Sequence, residues 1–84
     1  MDNIQLQYIS TADEAERAIL VARADFPEKL FEAVACDESS KVKIALLENH
    51  DLGAELIAKF CEDEDLSVRT AAYDKLCEKG KAGG

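Results

Sequence analysis

Tryptophan is absent from this chain of 84 residues, and proline and histidine occur once each. One glycine, Gly53, stands outside the C-terminal stretch "GKAGG", so little ahead of that stretch interrupts a helix. The three cysteines Cys36, Cys61 and Cys77 form no Cys-x-x-Cys pair and leave an odd count, which argues against a disulfide framework. Cys36 and Cys61 lie in or beside apolar helical runs, where reduced thiols act as small buried hydrophobes. A zinc site would need all three to converge with His50 by chance, so no metal is expected. There is no Gly-rich phosphate loop and no Ser-centred nucleophile motif, and the carboxylates fall at helix starts. No catalytic residue and no cofactor is therefore expected. The chain lacks an apolar run of about 20 residues, so no span of a membrane is expected. The start "MDNIQLQYIS" has neither the basic residues nor the apolar stretch of a signal peptide, making the cytoplasm the default expectation.

Basic residues are also scarce: ten against eighteen acidic ones, a net charge of −8. They are scattered, so no basic patch offsets the repulsion of phosphate, and direct nucleic-acid binding is not expected. Such acidity keeps a protein soluble and also attracts basic surfaces.

What the sequence has in abundance is helix-forming, amphipathic segments, with 48% hydrophobic residues. Capping residues divide them. Ser10 or Thr11 opens a first helix over about 12–24, and Asp25 with Pro27 opens a second. Ser39 opens a third, Asp51 a fourth and Asp65 a fifth. Period-two alternation is confined to "NIQLQYI", so residues 1–10 are expected to be extended, and 80–84 a flexible tail.

The phrase "DESSKVKIA" at 37–45 returns as "DEDLSVRTA" at 63–71. At the offset that lays one on the other, Leu30 meets Leu56, Asp37 meets Asp63, Glu38 meets Glu64, Val42 meets Val68 and Ala45 meets Ala71. Phe31/Ile57, Val34/Phe60 and Lys43/Arg69 are conservative matches. Residues 11–79 therefore read as a single helical-repeat domain, with a half unit at 11–24 and whole units at 26–50 and 52–76. Each unit is two helices whose apolar stripes are hidden only by the neighbouring unit. The matched valines are buried knobs, and the alanines let the adjoining helix approach. Lys43 and Arg69 are expected to reach loop acids such as Asp37 and Asp63, forming a ladder of ion pairs.

This pattern, from "AVACDESS" through "EDEDLSVRTAA", resembles the leucine-rich repeat variant family, a relative of HEAT-like helical repeats. The counterparts are Asp37, Val42, Lys43 and Leu46–Asn49, then Glu55, Leu56 and Ile57, then Asp63, Val68 and Arg69. The unit here is slightly longer than the family's usual step, Lys43 replaces Arg, and Gly53 stands where Pro is typical. The iron–sulfur cysteine cluster of some members has no counterpart before Cys36. The resemblance implies an all-α fold, a short right-handed α-α superhelix of about five helices, that binds macromolecules and performs no chemistry.

Two surfaces are candidates for a partner. Ile44, Leu47, Thr70 and Tyr73, flanked by Glu48 and Asp74, fall on a row across the second helices of successive units. The same positions would serve equally well to widen the core. The second candidate is the acidic run Glu62, Asp63, Glu64 and Asp65. The first suits a protein–protein interaction adaptor. The second suits a small acidic inhibitor that imitates nucleic acid and fills a basic groove on its target, as phage-type inhibitors do. Because so short a stack exposes both ends, either Ile4, Leu6, Tyr8 and Ile9 fold over one of them or an end pairs with another chain, as in a homodimer.

Overall fold

The structure, a computed structural model, describes residues 3–83, which form six α-helices and no strand. They are α1 (Asn3–Ser10), α2 (Glu14–Ala22), α3 (Phe31–Ala35, entered through a 3-10 turn at Glu28–Leu30), α4 (Ser40–Asn49), α5 (Ala54–Phe60) and α6 (Leu66–Gly83). The fold is all-α, with one helix more than the five expected.

The additional helix is α1, which occupies the segment expected to be extended. Alternating residues over so short a stretch signal a strand only when another strand is there to pair with. Here Ile4 and Tyr8, four apart, instead face the same way and pack on the core. At the other end, α6 runs on to Gly83 where a flexible tail was expected. Its extension is tied back by Lys79, whose Nζ lies 2.8 Å from Asp51 Oδ1. Met1, Asp2 and Gly84 lie outside the described residues.

Local capping explains most of the boundaries. Asp13, rather than Ser10 or Thr11, caps α2 by accepting from the Ala15 N–H. Ser39 caps α4 through the Val42 N–H, and Asp65 accepts from Ser67 and Val68 at the start of α6. The cap of α5 is Gly53, leaving Asp51 to meet Lys79. Asp25 opens no helix and pairs with Arg23 instead.

α2, α4 and α6 lie side by side, while α1, α3 and α5 each lean on the next helix in the chain; α3 also touches α5. The body is elongated, 39 × 24 × 16 Å. Its core is built from positions one repeat apart. Val42 and Val68 are both fully buried, and the pairs Val34/Phe60, Phe26/Leu52, Leu46/Ala72 and Val21/Leu47 are buried with them. Tyr8 extends the first of these series by one step toward the N-terminus, standing one repeat before Val34. Each large side chain among them contributes roughly 1.5–3 kcal/mol by leaving water.

Phe26 joins the turn between α2 and α3 to this core. Its ring meets the edge of Tyr8 at 5.8 Å and lies parallel to Phe31 at 6.3 Å. His50, at the end of α4, packs against both phenylalanines, and its Nε2–H donates to the Val21 carbonyl at 2.6 Å. The tautomer follows from that acceptor, because a carbonyl oxygen takes a proton and cannot give one.

Candidate functional site

The loops before α4 and α6 each turn an aspartate inward. Asp37 accepts from Arg17 Nε and Nη2 at 3.0 and 3.2 Å, from the Tyr8 hydroxyl at 2.8 Å and from the Ser39 N–H at 2.9 Å. Asp63 accepts from Lys43 Nζ and from the Asp65 N–H. Both ion pairs span the same sequence separation, from a basic residue on one helix to an acid in the loop before the next helix of the layer. Both are largely shielded from water.

Burial pushes the Asp37 carboxyl up, but the Ser39 N–H, the Tyr8 hydroxyl and the Arg17 guanidinium outweigh it and hold the group below its ordinary range. Asp63 behaves alike: burial raises it, and Lys43, the Asp65 N–H and the nearby charge of Arg69 more than reverse the effect. Tyr8 is driven the other way, first by burial and then by the carboxylate its hydroxyl faces.

Arg17 and Arg69 anchor themselves identically. Arg17 Nη1 donates to the carbonyls of Thr11 and Ala12, six and five residues back, at 3.2 and 2.8 Å. Arg69 Nη1 donates to the carbonyls of Asp63 and Glu64, also six and five back, at 2.7 and 3.0 Å. Arg17 then spends its remaining edge on Asp37, whereas Arg69 forms no ion pair among the described residues.

The acidic run therefore divides by role. Asp63 is consumed by Lys43 and Asp65 by the start of α6, while Glu62 and Glu64 are exposed. With Glu38 they rim a shallow trough between the two loops, floored by Lys43.

The expected row divides as well. Leu47 is 1% exposed and Ile44 half-buried, so neither stands free for a partner; α4 uses both in packing against the core. Thr70, Tyr73, Glu48 and Asp74 are exposed. Tyr73 stands one repeat after Leu47 and two after Val21, both buried, yet it is 55% exposed. The difference is positional: α2 has α4 beside it and α4 has α6, but no described helix lies beyond α6.

Two residues of this surface are absent from the expected row. Leu66, 67% exposed, aligns with the polar Ser40, and that apolar replacement is the signal the sequence offers. Arg69 reads in the sequence as one more member of the ladder. No acidic loop comes after it at the spacing that serves Arg17 and Lys43, and that mismatch is countable in the sequence. Leu66, Arg69, Thr70, Tyr73 and Cys77 recur at i, i+3, i+4, i+7 and i+11, which places them on one face of α6. Val68 and Ala72 point the opposite way, into the core.

Cys36 and Cys77 are exposed and Cys61 partly buried; all three are free thiols. The expectation of buried thiols thus holds only in part, for Cys61, because Cys36 lies at the rim where α3 ends. Burial, with Glu62 beside it, pushes the Cys61 thiol up and away from the reactive thiolate. Among the described residues no cluster of His, Cys, Asp or Glu has a metal-holding arrangement, and no helix is long and apolar enough to cross a membrane.

No protein-family model, no curated protein and no solved structure matches the chain.

Proposed function

We propose that this protein is a non-catalytic protein–protein interaction module. It is a short right-handed α-α superhelix of HEAT-like or leucine-rich repeat variant type, acting as an adaptor through the outer face of α6. The observation that carries this reading is the exposure of Tyr73 at a position whose two predecessors, Val21 and Leu47, are buried. An aromatic ring and Leu66 on one helix face, beside a guanidinium, make the kind of patch on which interface energy concentrates. The free thiols suit a reducing compartment, in keeping with a cytoplasmic location. The test is an affinity capture from cognate lysate at low and high salt. A protein held by wild type in high salt should be lost from Tyr73→Asp and Leu66→Asp and kept by Glu62→Lys.

A second reading, the acidic inhibitor that imitates nucleic acid, is favoured by one observation of its own: Glu38, Glu62 and Glu64 rim one trough of a chain with net charge −8. Under it, capture fails steeply as salt rises, and Glu62→Lys with Glu64→Lys abolishes it.

A further inference from the structure

Resting on the reading of α6 as the binding face, we infer that its partner is an α-helical hairpin of another polypeptide, carrying an aspartate in its connecting loop. That hairpin seats on α6 as α5 and α6 seat on α4. Arg69 is the first reason. Its Nη1 is latched to the carbonyls of Asp63 and Glu64 just as Arg17 is latched to those of Thr11 and Ala12. The latch leaves Nε and Nη2 available as they are in Arg17, where they clasp Asp37 from the loop before α4. The same exchange occurs between Lys43 and Asp63. Arg69 is therefore pre-set to receive a carboxylate, and both aspartates this chain has to offer in such loops are already engaged.

Apolar positions agree with the charged one. Leu47 on α4 is covered and Ile44 half-covered, and Thr70 and Tyr73 are their counterparts on α6, with Leu66 added one turn earlier. A partner that supplies the carboxylate in the same geometry brings an apolar helix face over Tyr73.

The chain's own N-terminal end does not fit this surface. At the position of Asp37 and Asp63 it has Thr11; at that of the buried Val42 and Val68 it has the exposed Glu16. Where Ala45 and Ala71 allow close approach it has Ile19, 67% exposed. Each departure opposes stacking onto a second copy, in the manner of a terminal unit that ends an array. The C-terminal end keeps its arginine and its apolar residues, so the two ends differ in kind.

The test restores the matching head to the full chain and asks whether it finds α6. The variant Thr11→Asp/Glu16→Val/Ile19→Ala carries both the aspartate phrase and the α6 face, and serves as the probe. In sedimentation velocity the wild type is expected to remain monomeric. The triple variant is expected to associate head to tail into open oligomers, since such a contact does not close on itself. Adding Arg69→Ala should weaken that association by at least about thirtyfold, whereas Arg69→Lys should retain it, as Lys43 holds Asp63. Thermal melting confirms folding of each variant, and Thr11→Asp alone serves if the triple variant does not fold. A folded probe that stays monomeric, or association indifferent to Arg69→Ala, overturns the inference. So does wild type that oligomerises through Arg69, because the occupant is then a second copy. A captured partner lost on Tyr73→Asp but unaffected by Arg69→Ala removes this inference and leaves the interaction module standing.

Discussion

Arg17 and Asp37 face one another through two parallel N–H···O bonds of 3.0 and 3.2 Å, joining the start of α2 to the loop before α4. The fork of the guanidinium matches the two carboxylate oxygens, so the pair fixes both the distance and the orientation between those elements. Tyr8 brings α1 to the same carboxylate, and Asp37 thereby ties three segments of the chain together.

Asp37→Ala should therefore be among the most destabilising single changes. It leaves a guanidinium, a hydroxyl and a backbone N–H without their acceptor in a site mostly closed to water. Breaking a shielded pair of this kind costs on the order of 3 kcal/mol. Thermal unfolding followed by circular dichroism should show a melting temperature lower by about 10 °C or more. A fall of a degree or two would mean that the ladder is ornamental.

Acid should unfold the protein through the same residues. Asp37 and Asp63 are held below their ordinary range in the folded state, so the folded form binds these protons more weakly than the unfolded chain. Their stabilisation is complete above about pH 4, the ordinary carboxylate value, and is lost as the pH falls through the depressed folded-state values. Urea midpoints measured from about pH 6 to about pH 2 should be level at first and then drop, and the drop should be shallower in Asp37→Asn.

Leu47 and Tyr73, aligned one repeat apart, should respond in opposite ways. Leu47→Ala opens a cavity in the core and should cost about 2–5 kcal/mol. Tyr73→Ala, on an exposed ring, should change stability by less than about 0.5 kcal/mol. Chemical denaturation of the two variants side by side decides the matter, and equal losses would contradict the difference in burial. Leu47→Asp is for the same reason a poor probe of binding, since it unfolds the protein first.

Tyr8→Phe isolates the hydroxyl. The ring and its edge contact with Phe26 survive, while one hydrogen bond to a carboxylate is removed, a loss of about 1.5–3 kcal/mol. Amide exchange in α1 should accelerate more than in α4. Unchanged protection of α1 would show that the helix is held by apolar contact alone.

Much of the architecture is legible at the level of single residues. Ser39 and Asp65 cap the helices they were expected to cap, because an N-cap needs only a short side-chain oxygen and the two or three residues after it. Val42 and Val68 lie in the core as their shared phrase implies. The α1 segment departs from its expectation because "NIQLQYI" satisfies a period of two as well as a period of four, and only the packing against α2 separates them. The candidate row holds for half its members because alignment by repeat says which positions are equivalent, not which of them has a neighbour. Equivalence puts Leu47 and Tyr73 on one line, and the end of the stack puts one inside and the other outside.

Helical character, the inward-facing valines and the stock of acids and bases available to pair are all written in the order of the residues. Periodicity, capping chemistry and composition specify them, and each of these acts within a turn or two of helix. Packing settled which carboxylate each base would meet, that residues 3–10 would coil against α2, and which face of α6 would be left in water. Those outcomes depend on which distant part of the chain comes to lie beside a helix, and a pattern read along the chain carries no record of where the neighbours stop.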